Sequence, residues 1–580
     1  MADPDRARCY IASAAPELAL KWVSECKDKH AICSKEVMVS AFTAPRRLID
    51  IGCLGSRSPR LIESASLHGQ VHKYIALSHC WGKPGMILKT IRSNILEHLE
   101  GIVWDALPKT FQDAIIVSQH LGVQYLWIDS LCIIQQDRAD FEQECATMHL
   151  IYLNAHCMIS ASDSNNSSEG FLEFWSDFPN TSKNVHGTTT TPAFTPNSTQ
   201  FRYNGAIEWY EWSDILEGPL NTRGWALQER QLAPRILHFT KHGLMWECRQ
   251  RIGAGDSSSL QLRRLPTQKR RDHDTERFRV LDWNMDPSRH TSHRLIWIWL
   301  RMAEDYSKRM LTYQEDKLSA LSGLAAAVAS ILPGRNDQLP LYLAGVWPHN
   351  QIRDQLFWCP FGSQPHDEIK QVELSRGQFS LPSWSWASWH SPVSFHLWAD
   401  RLYKKRNRDE YSYKFERKER PASFKLHTYR KIKYLSSDIS PEGHDLYGAI
   451  RGRGLKLRGY YQDLHGPQIG KTVKISQNLD VHFETHSKSK ETIWVTFDST
   501  HCSSQVLSFR FLRLFQTFER VMGIVVTPTG EGTFRRVGIF TVYNDDWAYS
   551  DCPGDSEDID NPKSNLRLPY NVELGDMTLV

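Results

Sequence analysis

The chain of 580 residues has no run of the roughly 18 apolar residues that a bilayer-crossing helix needs. The nearest approach, Leu318 to Leu332, is rich in Ala and Ser and stops at Pro333, so it is read as a packed helix. No apolar segment follows the polar stretch Met1 to Arg8, which argues against a secretory leader. The 12 cysteines are scattered and are expected to be reduced thiols in a cytoplasmic protein, with no membrane partner. Charge of one sign is also missing. The 69 Lys and Arg against 66 Asp and Glu leave a net charge of +3, which speaks against nucleic acid as the main partner. Two basic runs, Arg263 to Arg279 and Arg401 to Lys433, are read as solvated faces. The common catalytic signatures are absent as well. There is no G-x-S-x-G elbow and no H-E-x-x-H zinc helix. His465 stands where a phosphate loop ending in Gly470-Lys471-Thr472 needs its first glycine, and Gly452-Arg453-Gly454 lacks the third glycine of a dinucleotide fingerprint.

What is present is a chain too long for one core, with 41% apolar residues and 20 tryptophans to anchor its interiors. Residues 1–70 read as a helical lead-in with a short β segment at Arg47 to Ile51. From Tyr74 to Ala161 strand and helix alternate. Tyr74 to Ser78 is the first strand, followed by a helix near Ile91 to Leu99 and another from Pro108 to a stop at Gly122. Tyr125 to Asp129 is the second strand. Asp140 is taken as an N-cap with Gln143 completing a capping box, and Phe141, Cys145, Met148 and Tyr152 form the apolar stripe of the helix behind it. His156 to Ala161 and Pro234 to Phe239 are further strands. The order predicts an α/β domain with a mainly parallel sheet and flanking helices, over residues 71–250. An insertion at about 163–220 interrupts it. A mainly helical region over 251–375 and a β-rich region over 376–580 follow. No repeat of fixed period is present.

Ser78 and Asp129 fall at the carboxyl ends of predicted parallel strands, the edge where open α/β sheets bind ligands. Either the loops Ser78-His79-Cys80-Trp81-Gly82 and Asp129-Ser130-Leu131-Cys132 meet there as a site, or both polar residues cap helices and tie loops. Glu144 lies about 60° from the centre of its helix's apolar stripe. It is either a partly desolvated, reactive carboxylate or a surface Glu near a helix N-terminus. Arg223, in Arg223-Gly224-Trp225-Ala226-Leu227-Gln228-Glu229, either clamps an anion or pairs with Asp129 or Glu229 to lock the fold. Cys26, His30 and Cys33 could form part of a metal site, with Cys9 or Cys53 as fourth ligand, but their spacing also suits one face of a short helix, which is the preferred reading. No metal is assigned. Cys80 and His79, adjacent in the chain, point apart and are not a catalytic pair.

These blocks resemble the fungal heterokaryon-incompatibility (HET) domain. Tyr74 to Gly82 resembles its first motif. Leu126 to Gln135 with Asp137, Asp140, Glu144 and Met148 resembles the second, and Arg223 to Glu229 the third. Trp22, Cys26, His30 and Cys33 resemble the usual lead-in, and Pro382 to Ser388 a common downstream segment. His79 stands where Tyr is frequent, and Phe141 where Trp is frequent. The resemblance implies non-self recognition and programmed cell death through a TIR-like, flavodoxin-like signalling domain. Its partners would be proteins, met by homotypic assembly or as the incompatibility partner. It also implies an alternative, cleavage of NAD as substrate, with Glu144 as catalytic carboxylate supporting an oxocarbenium-like transition state. Ser78, Trp81, Gly82, Asp129, Cys132, Arg223, Trp225, Gln228 and Glu229 would line the binding site. A scaffold or transcriptional role for the basic runs is a third class.

Overall fold

The computed structural model describes residues 18–30, 33, 44–67, 73–83, 85, 87–172, 218–240, 243–254, 263–264, 292–332, 341–348, 352–360, 381–395, 432–442, 445–465, 480–484, 492–497, 508–516, 520–543 and 573–580. The middle of the expected insertion (173–217), most of both basic runs, Cys9 and the Gly470-Lys471-Thr472 segment lie outside these residues.

Among the described residues nine strands form one sheet in the order β2-β1-β4-β3-β5-β6-β7-β8-β9. They are β1 (Arg47–Asp50), β2 (Arg60–Glu63), β3 (Ile75–Ser78), β4 (Tyr125–Trp127), β5 (Cys157–Ala161), β6 (Arg235–Thr240), β7 (Gly243–Cys248), β8 (Ile252–Ala254) and β9 (Arg263–Arg264). The centre is parallel. Ile75 of β3 faces Leu126 on one side and Cys157 on the other, and Met158 faces Ile236. Every residue of β3 and of β5 is buried, as expected where both faces of a parallel sheet are covered.

The sheet is mixed rather than mainly parallel. At one edge β1 and β2 form an antiparallel pair docked on β4; at the other, β6 to β9 run back and forth. Short connections such as the one between Thr240 and Gly243 leave no room for a crossover helix, so these strands must pair antiparallel. The sheet therefore includes strands on both sides of the expected limits at 70 and 250.

Helix α1 covers residues 18–29. The others of this part are α2 (Ile95–Glu100), α3 (Lys109–His120), α4 (Asp129–Cys132), α5 (Arg138–Asn154) and α6 (Gly224–Leu232). Helix α2 starts later than the Ile91 expected. Helix α3 follows Pro108, and the positive φ of Gly122 (64°) turns the chain out of it, as read from the sequence. Two local readings are corrected. Asp129 opens a helical turn instead of ending a strand, its carboxylate taking the N–H of Ser130 at 2.7 Å. The N-cap of α5 is Asp137, which accepts from the Asp140 N–H at 3.3 Å. Asp140 is drawn inward by Arg47, and Gln143 accepts from Arg46, so neither is free to cap.

Beyond the sheet, α7 (Ser292–Ser307) and α8 (Ser319–Ala329) pack with α5 and α6. Helix α8 is the buried Ala-rich segment anticipated above. It approaches so closely that a Cβ on Gly323 would meet the His149 Cβ at 2.2 Å. Among the described residues no helix is long and apolar enough to cross a membrane. The C-terminal region is β-rich. Strands Leu455–His465, Ser508–Gln516, Arg520–Gly530, Thr533–Tyr543 and Glu573–Leu579 pair in a closed ring, because the last strand bonds both the first and the fourth. Tryptophans join this ring to the helices. The Trp358 indole donates to the Trp384 carbonyl at 3.0 Å, the Trp384 indole to the Arg453 carbonyl at 2.9 Å, and Arg536 stacks 3.5 Å over Trp358.

Candidate functional site

Ser78 ends β3 and Asp129 follows β4, so adjacent parallel strands place both at one rim of the sheet. The loop after β3 folds across to the loop after β4. The Trp81 indole N–H donates to the Asp129 carboxylate at 2.8 Å. From the third block, α6 brings Glu229 to accept the Ser78 hydroxyl, and Arg223 donates to the His79 carbonyl. Tyr152 of α5 lies beside Glu229 and favours its charged form. Ser78, Trp81, Asp129, Arg223 and Glu229 thus converge as expected, joined by His79 and Tyr152. Trp81 and Arg223 keep partial exposure and Gly82 is exposed, so this polar hollow reaches the surface. Gly82 has φ +87°, and a Cβ there would lie 2.5 Å from the Asn166 Cβ.

The electrostatics of the hollow are set by burial. Desolvation raises the Glu229 carboxyl to about 7; Arg223, Ser78 and Tyr152 pull the other way and Asp129 adds to the rise. Desolvation also lowers the buried His79 imidazole to about 4, against the opposing Asp129 charge, so the ring is neutral at pH 7. A carboxyl balanced near neutrality beside a hydroxyl and a guanidinium can exchange a proton and hold an anion.

Other sequence-predicted residues stand elsewhere. Glu144 is buried and accepts from Arg47 at 3.2 Å; Arg47 also bonds Asp140 at 2.5 Å and the Cys132 carbonyl at 2.6 Å. Burial raises Glu144 to about 7, with Arg47 opposing and Asp140 adding. Cys132 is fully buried, its thiol pushed up by desolvation. Trp225 and Gln228 of α6 turn toward the helical region: Trp225 lies beside Asp316, and Gln228 accepts from the Gly323 N–H at 2.8 Å. Cys53 is exposed, whereas Cys26, His30 and Cys33 share a buried cluster with Cys248. A line Ser162–His238–Glu247 has contacts of 3.4 and 2.9 Å, but all three are buried and Arg230 pairs with Glu247 at 3.0 Å, the mark of a structural network.

The sequence reading missed Tyr152, counted only as apolar stripe, and Arg47, whose four-residue strand carries no sign that its charge turns inward.

A sheet with parallel centre and a polar hollow at its strand ends defines a domain of the open α/β class. Residues 74–229, a little over a quarter of the chain, match the family described as "Heterokaryon incompatibility protein (HET)". No curated protein and no solved structure matches the chain.

Proposed function

We propose that this protein acts in fungal heterokaryon incompatibility, recognising a non-self protein partner and inducing programmed cell death through its HET domain. The observation that carries the reading is that the matched stretch, 74–229, contains all the residues of the polar hollow, from Ser78 to Glu229. Further support for a TIR-like, flavodoxin-like relation comes from the order of the parallel strands. Taken in chain order, the second, first, third and fourth lie side by side, the start of the 2-1-3-4-5 order of that class. The protein would work in the cytoplasm, its C-terminal region directing or restraining the domain.

Cleavage of NAD is the second reading, and the near-neutral carboxyls favour it. Glu144 is the carboxylate that motif order assigns to it. Glu229 is the one that shares the strand-end hollow, and under this reading it faces the ribose. Inducing the full chain in a fungal host while following viability and NAD separates the two. Death with a constant NAD pool supports assembly-driven signalling. Death preceded by NAD loss supports the enzyme. Unimpaired growth at high expression contradicts both.

A further inference from the structure

Cys26 lies in the last turn of helix α1, His30 directly follows the helix, Cys33 comes three residues later, and Cys248 ends β7. Their ligand atoms all lie within 4.8 Å of one another, and all four residues are buried. The three thiols are within hydrogen-bonding reach of each other, none is in a disulfide, and Cys248 Sγ is 3.4 Å from His30 Nδ1. Four tetrahedral ligands at zinc bond lengths stand roughly 3.3–3.8 Å apart, so little adjustment is needed. The bland alternative, a core histidine satisfied by ordinary hydrogen bonds, does not fit: Nδ1 meets only a sulfur, and the buried Nε2 has no hydrogen-bond partner among the described residues.

We propose that Cys26, His30, Cys33 and Cys248 bind one structural Zn²⁺. Three soft thiolates and one imidazole select zinc over hard cations, and a closed, buried set of four protein ligands marks a structural ion rather than a catalytic one. Binding releases three thiol protons to solvent and leaves a complex of net charge −1. Two neighbours compensate that charge: the Arg251 N–H donates to Cys248 Sγ at 3.2 Å, and the Arg235 guanidinium donates to the Cys33 carbonyl at 3.4 Å. The ion clips the N-terminal helix to β7. Glu247, next to Cys248, holds Arg230 of α6, the helix that presents Glu229, so the clip also steadies one wall of the hollow.

The test is metal analysis of the full chain, purified without chelator from zinc-supplemented cells. About one zinc per chain is expected, falling to roughly a tenth of that or less in Cys248→Ser, and unchanged in the control Cys53→Ser. Replacing the metal of the wild-type chain with Co²⁺ guards against a variant that merely misfolds. Tetrahedral ligand-field bands with a thiolate charge-transfer band are expected. Three results each overturn the proposal: a wild-type chain purified without zinc that takes up no Co²⁺, full zinc retention in Cys248→Ser, or a Cys26–Cys33 disulfide in the metal-free protein.

Discussion

Glu144 and Glu229 sit in the same domain, both buried and both raised to about 7 by desolvation, yet their company differs. Glu144 belongs to an ion cluster in which Arg47, from strand β1, grips Glu144, Asp140 and the Cys132 carbonyl, while Arg46 takes a second oxygen of Asp140 at 2.9 Å. That arrangement fastens β1 to α5. Glu229 faces a serine hydroxyl and a tyrosine, with Arg223 spending its recorded hydrogen bond on a backbone carbonyl. The first carboxylate is enclosed by partners that hold the fold. The second belongs to a group with partly exposed members, where a ligand would find donors and a proton. Low solvent exposure and a shifted pKa are common to both and do not separate a working group from a structural one; the partners do.

The contrast can be broken most forcefully at Arg47. Arg47→Met takes from buried Glu144 its recorded donor and leaves Asp140 to Arg46 and the Ile134 N–H, and a loss of about 3 kcal/mol is expected in chemical denaturation at pH 7. The same measurement on Arg223→Met should show a much smaller loss, because Arg223 is partly exposed.

Next comes the pH dependence. Glu229 has a folded pKa of about 7 against an ordinary 4.5, so between those values the folded protein holds more protons than the unfolded chain. Its contribution therefore makes stability fall as pH rises from about 4.5 to 7, by up to about 3 kcal/mol. Glu229→Gln should remove that slope, read as the difference between variant and wild type across denaturation curves at pH 5 and pH 8. His79, depressed to about 4, gives the opposite trend between about 4 and 6.5, and the difference cancels it.

Gly82→Ala places a Cβ at φ +87° and against Asn166, at a cost of roughly 1–2 kcal/mol; the local shift should appear in Trp81 fluorescence. Trp81→Phe, which removes the indole donor to Asp129 and part of the ring of a partly exposed side chain, should cost about 1 kcal/mol in the same denaturation assay.

The central strands and α3 were legible because their signals are local: a fully apolar run, a proline before a helix, a glycine after it. The convergence of Ser78, Asp129 and Glu229 was legible because strand ends in a parallel sheet share a rim. At the antiparallel edges β1 was legible as the short β segment at Arg47 to Ile51, but its pairing and the four-residue strand β2 were not, since so short a strand registers no periodicity. Nor was the capping of α5. Asp137 and Asp140 are equally good caps on paper, and the choice between them is made by Arg47, 93 residues from Asp140. The fourth member of the cysteine cluster escaped for the same reason: Cys248 lies on another element, 218 residues from His30, while Cys9 and Cys53 lay nearer in the chain.

The most direct test sets the two carboxylates against each other in one assay: survival of a fungal host after induction of the full chain carrying Glu229→Gln or Glu144→Gln, at matched protein levels. The hollow at the strand ends predicts that Glu229→Gln abolishes killing while Glu144→Gln retains it. Killing that survives Glu229→Gln but disappears with Glu144→Gln would place the working carboxylate in the Arg47 cluster and contradict the account.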